Sequence, residues 1–181
     1  MKTPHRNVLK SSLLLLAVFF AFQTLCMSTP YQQKASQIME LMQEGSDHYL
    51  RRDFKKAIGP YQKALDLEKQ KRTLEQNLWR VLVDNLGMSY GISGNLKVAK
   101  ETFEYGISED PDYPMFYYNM ACTYGEMDNM EKAIEYLRLA FARKDNMIPG
   151  ENFPDPAKDS SFARFADNEK FKATLKEMKE K

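Results

Sequence analysis

Between residues 38 and 147 the apolar side chains recur at three- and four-residue steps, the spacing that collects them on one face of an α-helix. Val83, Leu86, Gly87 and Tyr90 make one such run, and Gly94-Asn95 closes it. Val98, Ala99, Phe103 and Ile107 take up the period again until Asp110-Pro111 stops it. Glycine tolerates the left-handed backbone of a turn, and proline has no N–H with which to continue a helix. The segment therefore reads as two helices joined by a tight turn. Tyr117, Met120, Ala121 and Tyr124, a turn at Asp128-Asn129, and then Ala133, Leu137 and Ala140 give the same reading further along.

The recurrence has a fixed period. Shifting residues 80–113 by 34 lays Gly87 on Ala121, Tyr90 on Tyr124, Ala99 on Ala133, Phe103 on Leu137 and Gly106 on Ala140. Shifting residues 38–71 by 42 lays Gly45 on Gly87, His48 on Tyr90, Ala57 on Ala99, Tyr61 on Phe103 and Ala64 on Gly106. The eight extra residues fall between the first two units and are expected to lengthen the helices on either side. Small residues at these positions let two helices of a hairpin approach, and the aromatic and aliphatic ones fill what space remains. Pro60 lies inside the second helix of the first unit, where a kink is expected.

This pattern resembles the tetratricopeptide repeat, whose signature sets an aromatic or aliphatic residue, Leu, Gly and Tyr in one helix and Ala, an aromatic, Ala and Pro in the next. The resemblance covers three units, about 38–71, 80–113 and 114–147, within residues 29–147. The first departs most, with Glu44 for Leu, His48 for Tyr and Lys69 for Pro. It implies an all-α fold: a right-handed superhelical solenoid of three helical hairpins. Residues 148–181 are a loop followed by C-terminal capping helices. Their Phe162, Phe165, Phe171, Leu175 and Met178 are expected to cover the open end of the last hairpin, with Ser160 or Ser161 and Asp167 or Asn168 as helix caps.

Residues 1–28 differ from the rest. Lys2, Arg6 and Lys10 precede an apolar run over 13–22 that is too short for a usual membrane span. This layout predicts a signal peptide, cleaved between Gln23 and Pro30, or else a short N-terminal anchor that tethers the chain through residues 11–27. The chain is therefore expected to be exported, to a periplasmic or extracellular site, or to be membrane-anchored.

Composition narrows the function. Of 181 residues, 43% are hydrophobic and 28% charged, as in an ordinary globular chain, and the formal net charge of +1 leaves no basic excess for nucleic acid. Two Cys and two His give no disulfide framework and no zinc spacing, and no phosphate-cradling glycine loop or calcium loop appears. His48 reads as packing in a tyrosine slot, and Cys122 as an inert thiol. No cofactor, metal, small-molecule substrate or catalytic residue is expected, and the partner is another protein or peptide.

The resemblance places the first helix of each hairpin on the concave face. Met42, Gln43 and Tyr49, then Asp84, Asn85 and Met88, then Met115, Tyr118, Asn119 and Cys122 are the candidate groove residues, with Met39, Leu50, Val81, Ile92 and Glu126 in the same stripe. The column Gln43, Asn85, Asn119 could clamp a peptide backbone, since an amide both donates and accepts, or could instead pack the hairpins. The stripe holds no Lys or Arg, so acidic chaperone tails are not the expected ligand and salt should matter little. The expected function is a non-catalytic interaction module, a scaffold or assembly factor of the cell envelope. The alternatives are a self-associating structural repeat protein and a membrane-tethered subunit of an envelope complex.

Overall fold

The computed structural model describes residues 29–180, so the expected export segment and the membrane tether through 11–27 lie outside the described residues. Those residues form seven α-helices: α1 (Pro30–Leu50), α2 (Phe54–Gln70), α3 (Gln76–Ile92), α4 (Leu96–Glu109), α5 (Pro114–Glu126), α6 (Met130–Phe141) and α7 (Glu169–Lys179). Short 3-10 turns lie at Lys144–Asn146, Pro156–Lys158 and Ser160–Phe165, and no strand forms among the described residues. Each helix from α1 to α6 packs on the next, and the first helices α3 and α5 also touch, which stacks three hairpins side by side. The fold is thus an all-helical repeat solenoid.

The three hairpin turns are built alike. Arg52, Gly94 and Asp128 occupy the same repeat position, and each takes a left-handed backbone, at φ of 61°, 88° and 59°. This conformation lets the following N–H reach back five residues, from Asp53 to His48, Asn95 to Tyr90 and Asn129 to Tyr124, each at 2.9 Å. Asn95 and Asn129 then cap the next helix through their side-chain oxygens, accepting from Val98 and Lys132 backbone N–H groups. At the chain's described start, Thr29 and Gln32 bond each other's backbone reciprocally and begin α1 well upstream of the first repeat unit.

Core packing pairs a small residue with a large one across each hairpin. A Cβ placed on Gly45 would lie 2.6 Å from the Tyr61 ring, and one on Gly87 would fall inside the van der Waals surface of Phe103. The third hairpin solves the same problem with Ala121 facing the smaller Leu137, both fully buried. Helix α2 runs unbroken through the buried Pro60. Gly59 precedes it, and the absent Cβ removes the clash that normally drives a pre-proline residue out of the helical region. The extra residues between the first two units lengthen α2 at its end and give α3 an additional first turn, which buries Trp79 against Phe116 and Tyr105.

Two buried carboxylates at equivalent repeat positions tie one hairpin to the next. Glu68, at the end of α2, accepts from the backbone N–H groups of Thr73 and Leu74 and from the Thr73 hydroxyl. Asp110, at the end of α4, accepts from Arg80 Nε at 2.6 Å and from the Gln76 side chain. Burial alone would push the Asp110 carboxyl up; the bonds from Arg80 and Gln76 and the Arg80 charge outweigh it and hold the group below its ordinary range.

The tail closes the last hairpin. Phe162, Phe165, Phe171, Leu175 and Met178 are all buried against α5 and α6, including Tyr118, Ala121 and Leu137. The cap of the 160–165 turn is Asp159, which accepts from Ser161 N, and neither serine takes that part; Asn168 caps α7. Serine side chains are shorter donors and acceptors than the Asp one residue earlier, whose backbone is already extended at the turn's start. Among the described residues no helix is long and apolar enough to cross a membrane.

Candidate partner-binding groove

The first helices α1, α3 and α5 share one face, and the candidate residues divide on it into two groups. Over α1 and α3 the face is open. Leu50 is 80% exposed, Ile92 51% and Met39 45%, although isolated exposure of large apolar side chains is ordinary and their clustering on one face is what counts. Tyr49 is half-buried and meets Phe54 edge-on at 5.2 Å, and Met88 is half-buried on α3. Met42 is buried in the core and does not reach the face.

A cavity of about 530 Å³ opens between α3 and α5, lined by Met88, Gly91, Ile92, Cys122 and Glu126 among others. Arg52 from the first hairpin turn forms part of its wall, as do Asp159, Ser160 and Ser161 from the tail. A stripe traced along helices alone misses Arg52, because a turn residue is not on the helical period; the groove therefore does contain a cation.

Over α5 the face is already occupied. The tail crosses it, with Glu151 accepting from the Tyr113 hydroxyl at 2.9 Å and Asp159 from the Tyr118 hydroxyl at 3.0 Å. Phe153 stands edge-on to both Tyr118 and Phe141, and the Ser161 carbonyl approaches Gly125 so closely that a Cβ there could not be accommodated. Tyr118 and Asn119 are consequently buried rather than exposed, and Met115 is half-buried. Burial first, with neighbouring Cys122 and Asp159 adding to it, pushes the Tyr118 phenol upward, so it stays a donor to the carboxylate. Cys122 lies 3.6 Å from the same Asp159 oxygen, and burial followed by the Asp159 charge raises its thiol well above the ordinary value, which makes it a poor nucleophile.

The amide column does not act as one device. Gln43 bonds Asp47 one turn on, at 2.9 Å, and is exposed. Asn85 donates to the Tyr61 hydroxyl at 3.2 Å. Asn119 donates to Asp84 at 2.6 Å and joins α5 to α3. Both Asn side chains are thus engaged within the fold, so replacing Asn119 strips a half-buried carboxylate of its donor.

Asp84 is the unusual group of this face. Burial pushes its carboxyl up to about 7 from 3.8; the Asn119 bond opposes that and the Glu151 charge adds to it. A free chain ionises this group near its ordinary value, whereas the folded chain resists ionisation until about 7. The contribution to stability is therefore full in acid, declines as pH rises from about 4 to about 7, and stays lost above. Asp84→Asn keeps an oxygen for Asn119 and cannot ionise. We expect the variant to melt above wild type at pH 8, by at most about 4 kcal/mol, and to lose that advantage by pH 4. Thermal melts across this range check it; equal pH profiles would refute the assignment.

The stacked hairpins and their repeated left-handed turns define a helical-repeat domain. The tetratricopeptide repeat family model matches residues 116–146, so the third hairpin is a tetratricopeptide repeat. No curated protein matches the chain. Repeats of this family generally mediate protein–protein interaction and are typically non-catalytic.

Proposed function

We propose that the chain is a non-catalytic module that holds a peptide or helix of another protein on the open face of α1 and α3, as a scaffold or assembly factor of the cell envelope. The observation that carries this reading is the unpartnered apolar strip of Met39, Leu50 and Ile92 beside a cavity large enough for a side chain. The tail fills the third hairpin's share of the face, which leaves the partner to the first two. The envelope setting rests on the basic and apolar N-terminal segment.

The test places a photoreactive residue at Met39, on the open face, because Tyr118 is buried. Crosslinking in native envelopes should capture a distinct protein. Leu50→Asp with Ile92→Asp should abolish capture without lowering the melting temperature, since each buried apolar side chain contributes roughly 1.5–3 kcal/mol at an interface, or about tenfold or more in affinity. Crosslinks only between copies of the chain would replace this function with self-association.

A further inference from the structure

The first hairpin turn carries the sequence Arg51-Arg52-Asp53-Phe54-Lys55-Lys56, four cations against one carboxylate in a chain whose formal net charge is only +1. All four cationic residues are exposed. Of these four, only Lys56 pairs with a carboxylate among the described residues, an exposed pair to Asp53 at 3.6 Å. The fold does not ask for this charge. The equivalent turns read Ser93-Gly94-Asn95-Leu96-Lys97-Val98 and Met127-Asp128-Asn129-Met130-Glu131-Lys132, and they make the same backbone bonds. At the left-handed position, where the second turn has Gly94, the first places Arg52 against the steric preference for glycine.

The cluster adjoins the open apolar strip. Arg52 and Ile92 line both the 530 Å³ cavity and a neighbouring recess of about 400 Å³, the second shared with Phe54, Lys55 and Lys56. Leu50 lies immediately before the turn. The far wall of the larger cavity carries Asp159 and Glu126, the latter in an exposed ion pair with Arg164 at 3.7 Å. We infer that this face takes a protein segment whose apolar side chain enters the cavity and whose Asp or Glu residues meet the first hairpin turn. The inference rests on the partner-binding reading above and adds the partner's charge and direction. The acidic part of the segment lies toward Arg52, and its neutral or basic part lies toward Glu126 and Asp159, since a carboxylate there would meet like charge. A bilayer of anionic lipid would also meet the cations, but it cannot send a side chain into a walled cavity, so a peptide fits the observations better.

The experiment selects from a random-peptide display library on the purified chain, with vesicles of phosphatidylglycerol and phosphatidylcholine run in parallel. Selected peptides should carry Asp or Glu beside Leu, Ile or Phe. Their affinity should fall as salt rises, and by roughly tenfold or more in the variant Arg51→Glu, Arg52→Glu, Lys55→Glu, Lys56→Glu, because attraction to a charged rim acts through screened long-range fields. Arg52→Gly suits the backbone at that position, so its weaker binding at unchanged melting temperature is the arm that folding defects cannot imitate. Apolar peptides without acids, indifferent to charge reversal but lost with Ile92→Asp, would overturn the acidic partner and leave the groove standing. Peptides indifferent to both changes, or no selection at all, would overturn both. Charge-dependent vesicle binding without any acidic peptide would assign the turn to a membrane surface and end the proposal.

Discussion

Gly87→Leu should lower the melting temperature by roughly 6–12 °C, about 3 kcal/mol for a domain of this size. Even a single Cβ at this position overlaps the Phe103 ring, which is itself fully buried. The cost spreads beyond one hairpin. Units of a solenoid are stabilised mainly by their neighbours, and the second hairpin has a neighbour on each side. The third hairpin shows how the strain could be relieved, since it pairs Ala121 with Leu137 where the second pairs Gly87 with Phe103. Gly87→Ala combined with Phe103→Leu copies that pair and should recover much of what Gly87→Ala alone loses. Circular dichroism melts of the two variants decide it; an unchanged midpoint for Gly87→Leu would mean the helices do not meet at this glycine.

Arg80→Ala should cost about 3–5 kcal/mol at neutral pH, the usual penalty for leaving one partner of a buried ion pair behind. Asp110 is 6% exposed, and Arg80 donates to it at 2.6 Å. With Arg80 gone, only Gln76 and the Asp112 backbone N–H remain as donors, and neither carries charge. Arg80 also stands over the Tyr113 ring, 4.9 Å from its centre, so part of the loss is packing. The pH dependence separates the two. The folded-state pKa of Asp110 is depressed, so its pairing stabilises the fold above the ordinary carboxylate value and is lost as pH falls below it. The penalty of Arg80→Ala should therefore shrink in acid to its packing share. Asp110→Asn in the Arg80→Ala background should restore the remainder at neutral pH. Chemical denaturation at two pH values measures both, and a penalty that is the same at each would assign the whole effect to packing.

Much of the fold could be read from the chain because the same contact recurs. Gly45 with Tyr61 and Gly87 with Phe103 are local pairs within one hairpin, and repetition turns a weak composition signal into a pattern. The second and third turns were legible from Gly94-Asn95 and Asp128-Asn129, whereas the first, with Arg52 at the glycine position, carries no such signal. Three other things were not legible. Trp79 lies in residues that belong to no repeat, so the offset argument passes over it. Glu68 and Asp110 hold equivalent positions but use different side chains and different donors, and a pattern of residue types does not detect that. The occupied face of α5 depends on Tyr118 finding Asp159 and Tyr113 finding Glu151, each across a long stretch of chain. Helical periodicity shows which side chains share a face and carries no information about what lies on it. Periodicity sets Asn119 and Tyr118 on one stripe of α5, and their burial was not foreseeable from it.

The sealed third hairpin also gives the array a grammar. A fourth unit appended after Phe141 would need the surface that Phe153, Phe162 and Phe171 now occupy, and the carboxylates of the tail would have to leave their tyrosines. A unit inserted ahead of Pro114 meets none of this, because it would join one ordinary hairpin to another through the same Asp-Pro stop. The molecule can thus be lengthened from within but not by addition at its tail, and duplication or design that respects this order would widen the open binding face while keeping its terminus closed.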